Sequence, residues 1–187
     1  MVHLIKEYIT SYKKTGAICP SSPRLAEYMT NEENLLSSRC VIELGPGSGV
    51  ITKKILTKIS KKCTFFALEI NPVFAEKVEK DLGATVYLDS AQNIQKYLQK
   101  HNLQHCDMII SSLPWSFFNQ QTQKHIFESL YNSLTPEGKI VTFVYLTIFL
   151  FPSGRRFMMM LNQHFPNIQK KVVWKNIPPA IVYECRK

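Results

Sequence analysis

Two acids and three glycines carry the most legible chemistry in this chain. The stretch Val41-Ile42-Glu43-Leu44-Gly45-Pro46-Gly47-Ser48-Gly49 is an apolar run that ends in an acid and opens into alternating glycines. It predicts a strand, a tight ligand-binding turn and a helix. Gly45 and Gly47 can take positive φ and bring backbone close to a ligand, and Gly49 lets the following helix pack near the strand. Glu69 closes the next apolar run, Thr64-Phe65-Phe66-Ala67-Leu68, twenty residues beyond Gly49. A parallel-sheet nucleotide fold places its ribose-binding acid there, so Glu43 and Glu69 are expected to share one crevice. The glycine spacing is not the Gly-x-Gly-x-x-Gly of dinucleotide sites, and Pro46 stiffens the turn. Glu43 would repel a pyrophosphate but attract the ammonium and sulfonium of S-adenosylmethionine. Glu43, Gly45, Pro46, Gly47, Gly49, Glu69 and Ile70 are therefore the expected cofactor-binding residues, with S-adenosylhomocysteine as product.

In such a fold ligands bind beyond the carboxyl ends of the strands, so the residues immediately after each apolar run are the candidates for ligand contact. Asp89-Ser90-Ala91 follows the third run; Asp89 can accept from an adenine amino group while Ala91 borders the ring, or Asp89 and Ser90 can cap a helix. Ser111-Ser112-Leu113-Pro114-Trp115-Ser116-Phe117-Phe118 follows the fourth and sets a rigid proline and three aromatics where a methyl group would leave sulfur. Methyl transfer is an in-line displacement that needs a positioned neutral nitrogen, and aromatic faces favour the methylated ammonium that forms. The fifth run places Tyr145 near the same mouth, where its phenol can orient an amine. Ser112, Trp115 and Tyr145 are the expected catalytic residues.

The elements that must hold these residues are readable from pattern. Arg39 to Leu44, Cys63 to Ile70, Ala84 to Leu88, Cys106 to Leu113 and Ile140 to Leu146 read as five parallel strands, separated by segments of helical length with start signals at Ser48, Asn71-Pro72 and Ser90. Asn167 to Asn176 and Ala180 to Arg186 read as an antiparallel pair joined across Pro178-Pro179 and closing one edge. The expectation is one α/β domain, a mostly parallel seven-stranded sheet with helices on both faces. Residues 1–30 form an N-terminal cap on the domain proper, 31–187.

The chain has 187 residues, is 45% hydrophobic and carries a formal charge of +9. From Phe151 to Lys187, seven Lys and Arg residues face one acid, a surface suited to RNA phosphate or to an anionic membrane leaflet. Five scattered cysteines argue against a disulfide framework and for a reducing cytoplasm. His101, His105 and Cys106 cluster without a fourth partner, so no metal is expected. The start of the chain lacks the pattern of a secretory signal, and the longest apolar stretch, Ile140 to Phe151, is short of the roughly 20 residues a membrane span needs. Leu4, Ile5, Tyr8, Ile9 and Tyr12 recur at helical spacing against Lys6, Glu7, Lys13 and Lys14, which predicts an amphipathic helix that packs on its own domain or lies in a membrane interface.

Several stretches together resemble the bacterial phospholipid N-methyltransferases, class I enzymes that methylate phosphatidylethanolamine stepwise toward phosphatidylcholine. These are Gly16-Ala17-Ile18-Cys19-Pro20-Ser21-Ser22, Val41 to Gly49, Ala67 to Pro72, Ser112 to Trp115, Thr142 to Tyr145 and Asn176-Ile177-Pro178-Pro179-Ala180. The resemblance implies cofactor binding by Glu43, Gly45, Gly47, Glu69 and Asp89, and a site shaped by Pro20, Ser21 and Ser22. It further implies membrane docking through the N-terminal helix, with a phospholipid substrate at the inner face of the cytoplasmic membrane. Arg155 and Arg156, just past the fifth strand, are placed to grip a lipid phosphate bidentately. Ile18-Cys19 and Ser111-Ser112 depart from the pattern of the family at positions that bear on substrate shape. RNA adenine dimethyltransferases share the Leu-Pro-aromatic motif and a basic surface, but Ser112 stands where an asparagine would hold the adenine amine, which argues against a nucleic-acid partner. A methyltransferase of small soluble amines would use the same site chemistry. A monomer is expected.

Overall fold

A computed structural model describes residues 22–30 and 33–187. The seven strands are β1 (Cys40–Leu44), β2 (Thr64–Glu69), β3 (Val86–Leu88), β4 (Cys106–Ser111), β5 (Leu134–Tyr145), β6 (Asn167–Val173) and β7 (Ala180–Arg186). They form one sheet in the order β3-β2-β1-β4-β5-β7-β6. The first five pair in parallel, while β7 runs antiparallel to both β5 and β6. The expected C-terminal pair is present, with β7 inserted beside β5 and β6 left as the edge. Strand β5 starts earlier than the apolar run Ile140 to Leu146 suggested. Leu134 pairs with Cys106, and the register shifts before Lys139 meets Met108. The polar Thr135-Pro136-Glu137-Gly138 stretch hid this extension.

The described helices are α1 (Pro23–Met29), α2 (Val50–Lys58), α3 (Pro72–Leu82), α4 (Ile94–Lys100), α5 (Gln120–Ser133) and α6 (Pro152–His164). Strand β1 is buried at all five residues, as a central parallel strand covered on both faces must be. Cys40, Ile42 and Leu44 join the core under α4, α5 and α6, whereas Val41 joins the core under α1 and α2. Glu43 shares the parity of Val41, which aims it toward the α2 side. Of the expected helix starts, Asn71-Pro72 caps α3, and Ser90 caps the 3₁₀ turn Ala91–Asn93 ahead of α4. Ser48 makes no cap: the residue before α2 is Gly49, left-handed and without a side-chain hydrogen bond. The Asn119 start of α5 lies outside those expected. Asn71 accepts from the Val73 amide ahead of Pro72, Ser90 accepts from that of Gln92, and Asn119 from that of Thr122.

The C-terminal edge of the sheet is tied together across long sequence distances. The Ser22 side chain caps α1 by accepting from the Leu25 amide, and its own amide donates to Asn176 Oδ1 at 3.3 Å. Asn176 in turn donates to the Pro178 carbonyl, and the Leu146 amide donates to that of Pro179 at 3.0 Å. The two narrowest motifs of the sequence, around Ser22 and Asn176, thus meet in space. Glu27 of α1 accepts from Lys54 and Lys58 of α2, and these ammonium groups hold its carboxyl down at about 2. Pro20, Ser21 and the N-terminal amphipathic segment lie outside the described residues.

A short 3₁₀ turn, Leu146–Leu150, carries the chain from β5 into α6, and Gly154 packs against it. A Cβ at Gly154 would overlap the carbonyl of Ile148, which is backbone and cannot rotate away. Gly154→Ala should cost roughly 1–3 kcal/mol, lowering Tm by several degrees in a thermal melt followed by circular dichroism.

Candidate active site

Glu69, at the end of β2, fastens the glycine turn to the next loop. Its Oε2 accepts from the Gly47 amide at 3.1 Å, and its Oε1 accepts from the amides of Ile70 and Asn71, both at 2.9 Å. Burial raises its carboxyl above the ordinary range, and these three N–H donors pull it back. Gly45, Gly47 and Gly49 hold φ of 72°, 52° and 83°, left-handed values that L side chains rarely adopt. A Cβ on Gly45 would crowd Leu113 of the loop after β4, so the turn and that loop touch. The role expected of Gly49 shifts. Its close neighbours are Val78 and Leu82 of α3, not the preceding strand, so this glycine lets two helices approach. Pro46 is buried, and its carbonyl accepts from the Gly49 amide at 2.9 Å, closing the turn.

Glu43 is fully buried, and neither carboxylate oxygen has a hydrogen-bond partner. Desolvation pushes its carboxyl up to about 8. The Thr52 hydroxyl pulls the other way without reaching hydrogen-bond geometry, and the neighbouring charge of Glu69 pushes further up. The two acids therefore sense each other, as one shared crevice requires. Ser112 lies across the turn from Glu43, its amide donating to the Leu44 carbonyl at 2.9 Å. Its Oγ is also buried without a partner. The two orphaned carboxylate oxygens of Glu43 and the unpartnered Thr52 hydroxyl thus lie under the glycine turn, while Ser112 Oγ follows the end of β4. Buried polar atoms are rarely left unpaired, so this arrangement calls for a ligand carrying donors or positive charge. Carboxylate acceptors fit the ammonium end of S-adenosylmethionine, and the positive-φ turn leaves backbone free of Cβ atoms beside it.

Asp89 is occupied. It accepts from the Ser90 amide, Asn93 Nδ2 and the Tyr97 hydroxyl, each at 2.7 Å, and from Lys96 at 3.1 Å. Although partial burial opposes them, these donors hold its carboxyl down at about 2. The carboxylate orders the turn that carries Ser90 and the buried Ala91, and in this arrangement it has no spare lone pair aimed at an adenine.

The loop after β4 departs from the aromatic mouth expected of it. Trp115 is 1% exposed, stacked on Phe157 at 4.1 Å, with Phe118 edge-on at 5.9 Å. Its Nε1 donates to Thr142 Oγ1, which donates to the Ser111 carbonyl. A large ring beside an apolar helix gains more from core burial than from lining a wet crevice, so Trp115 braces the loop, and Phe117 is the exposed ring. Sequence reading missed the clasp behind it. Buried Gln123 of α5 donates to the carbonyls of Trp115 and Ser153 at 2.9 and 3.0 Å, and Ser153 Oγ donates to the Ser116 carbonyl at 2.6 Å. A glutamine within an otherwise polar helix start gave no signal. Thr52, facing Glu43, was hidden in the same way, inside a helix between a buried Ile51 and two lysines.

Tyr145 ends β5 opposite Ala180, partly buried and edge-on to Phe143 at 5.5 Å. Arg155 is exposed near the start of α6, and Arg156 is half-buried with an unpartnered Nε. Ser22 is held to Asn176 of the β6–β7 connection. No group of three or more His, Cys, Asp or Glu residues able to hold a metal occurs among the described residues. Cys106 instead donates to the Ser133 carbonyl, and His101 stacks on Phe66 at 5.1 Å.

Because folding favours the neutral form of Glu43, its contribution to stability is fully present below the unfolded value near 4.5 and is lost as pH rises toward 8. Glu43→Gln should therefore raise the Tm of the ligand-free protein at pH 8 while leaving it nearly unchanged at pH 4.5. Differential scanning calorimetry at the two pH values checks this. Equal Tm values for both proteins at pH 8 would contradict it.

No protein-family model matches the chain. It is 27% identical over 175 residues to an ornithine lipid N-methyltransferase of Singulisphaera acidiphila, covering 91% of this chain and 88% of that protein. It is also 27% identical over 112 residues to a probable dimethyladenosine transferase of Dictyostelium discoideum, covering 60% of this chain and 35% of that longer protein. The second likeness bears against the expectation that nucleic acid is not a partner. In three dimensions the chain superposes on the N-methyltransferase NodS of Bradyrhizobium japonicum with a TM-score of 0.68, 11% identity, and coverage of 89% and 97% of the two chains. The same enzyme in complex with S-adenosyl-L-homocysteine superposes with a TM-score of 0.67, at 10% identity and 87% coverage of each chain. The chain carries the Rossmann-like methyltransferase fold in one seven-stranded α/β domain.

Proposed function

We propose that this protein transfers methyl groups from S-adenosylmethionine to the amine nitrogen of a lipid headgroup, releasing S-adenosylhomocysteine. The cofactor half of the reading rests on one observation, the uncompensated Glu43 carboxylate buried beneath the glycine turn. The lipid half is supported by the likeness to an ornithine lipid N-methyltransferase over most of both chains. Phosphatidylethanolamine is the acceptor suggested by the motifs around Ser22 and Asn176, and its successive methylation leads to phosphatidylcholine. The reaction belongs at the inner face of the cytoplasmic membrane, with the protein peripherally bound.

When bound, the sulfonium supplies an electrophilic methyl carbon to an amine lone pair. Glu43 would hold the cofactor's ammonium as a carboxylate, and Glu69 has a lone pair left on Oε2 that would accept from a ribose hydroxyl. Gly45, Pro46, Gly47 and Gly49 bring backbone against the ligand, while Ile70, Ser90 and Ala91 border the nucleoside and Asp89 holds their turn. Ser112 Oγ would accept from an acceptor amine that still carries an N–H and so set its direction, and Tyr145 would orient it from β5. Trp115 serves indirectly by bracing the loop that carries Ser112. Pro20, Ser21 and Ser22 shape the acceptor side, and Arg155 and Arg156 bind the lipid phosphate. The acceptor ammonium would first give its proton to water; its lone pair then forms the C–N bond as the C–S pair returns to sulfur, and the positive charge stays on the methylated nitrogen.

A second reading, methylation of adenosine in RNA, is favoured by the likeness to the dimethyladenosine transferase and by the basic surface. Ser112 in place of an amide side chain weighs against it.

Incubating the protein with methyl-labelled S-adenosylmethionine and liposomes containing phosphatidylethanolamine, with ornithine lipid, ribosomal RNA and free ethanolamine as parallel acceptors, separates the readings. Label in a lipid amine is expected; label in RNA alone would replace the lipid reading with the second. Glu43→Gln should weaken cofactor binding roughly 10- to 100-fold by calorimetry. Tyr145→Phe should lower kcat with cofactor affinity unchanged, and an unaltered kcat would remove Tyr145 from the mechanism.

A further inference from the structure

Three chain segments meet at the C-terminal edge of the sheet. Ser153 and Gln123 bind the loop after β4 to the start of α6. The Leu146 amide binds the turn before α6 to the β6–β7 connection through Pro179. Side chains on these joined segments are unusually apolar for a surface. Phe117, Phe149, Leu150, Phe151, Trp174 and Ile177 are 72%, 44%, 75%, 49%, 71% and 82% exposed. They make up six of the eleven large apolar side chains that are exposed among the described residues. Exposed apolar side chains gathered this way mark an interaction surface.

The charge around them identifies the occupant. No Asp or Glu occurs from Met108 to Phe127 or from Gly138 to Tyr183, whereas the latter stretch carries Arg155, Arg156, Lys170, Lys171 and Lys175 as well as Lys139. Lys171 and Lys175 flank Val172 and Trp174 at the exposed end of β6 and its turn. Lys139 is paired with Glu184, away from these tips in sequence. Large aromatic and aliphatic tips on segments whose other charges are all cationic match a bilayer surface of anionic headgroups over acyl chains.

We propose that this rim, the Phe117 turn, the Leu146–Leu150 turn with Phe151, and the Trp174–Ile177 tip, inserts into an anionic membrane surface and seats the strand-end crevice against it. The inference deepens the lipid reading by assigning the membrane contact to residues outside the N-terminal segment. The rim needs no unfolding to bind, because its apolar tips are already in solvent, and the basic residues add attraction that salt weakens.

The test reads membrane contact alone, without cofactor or turnover, so it can fail while the methylation assay succeeds, and the reverse. The full chain is titrated with phosphatidylcholine vesicles with and without phosphatidylglycerol. The chain has two tryptophans, and Trp115 is already buried, so changes in emission report Trp174. With anionic vesicles, Trp174 emission should shift to the blue, lose quenching by iodide and gain quenching by brominated acyl chains. The Leu150→Ser, Trp174→Ser, Ile177→Ser triple variant should partition onto these vesicles at least tenfold more weakly by sedimentation, with its melting curve retained. Lys171→Gln with Lys175→Gln should weaken partition and flatten its salt dependence. The proposal is overturned if the triple variant partitions like the parent. It is equally overturned if Trp174 stays open to iodide in the vesicle-bound protein, is already shielded in the free chain, or is shielded by structured RNA and not by vesicles.

Discussion

The site depends on one carboxylate that is paired and one that is not. Glu69 gathers three backbone N–H groups from two loops, which fixes the glycine turn relative to the end of β2. With that turn held, Glu43 has nowhere to go but inward, and its oxygens stay unmatched. Placing an ionisable group in a dry pocket costs stability, and the cost is tolerable because the group takes a proton when nothing else is there. A cation bound there would change that balance, turning the burial that destabilises the ligand-free protein into selectivity for positive charge.

The loop after β4 is organised by a different device. Parallel strands β1, β4 and β5 end at one edge, and the loops that leave them must be held without ladder hydrogen bonds of their own. Thr142, Gln123 and Ser153 supply that hold from behind with side-chain donors on backbone carbonyls, and Trp115 donates to the Thr142 hydroxyl. The consequence is a loop whose buried parts are rigid and whose remaining groups, Ser112 on the inside and Phe117 on the outside, face the crevice and solvent. The rim continues this logic outward. Segments tied at their backbones present apolar tips that no neighbouring element covers among the described residues.

Strong local patterns were legible in the sequence. Strand β1 reads as apolar because both its faces are buried, and the caps at Asn71 and Ser90 follow from side-chain oxygens that satisfy free helix amides. The early start of β5 was not legible, since a polar stretch in a strand reads as loop until a partner pairs it. Nor was the burial of Trp115. An aromatic after a strand end carries the same local signal whether it lines a mouth or packs inward, and only the position of Phe157 on a distant helix decides.

The sequence by itself determined the strand–turn–helix that presents the glycines, the pairing of Glu43 with a second acid one strand away, and the alternation that makes a mostly parallel sheet. These are short-range consequences of residue type and spacing. Tertiary structure alone decided that Glu43 is left without a partner, that Asp89 is fully engaged, and that Gln123 and Ser153 hold the loop after β4. It also decided that Ser22 meets Asn176 across the length of the chain. Each depends on what another element brings within hydrogen-bond range, and no local pattern encodes that.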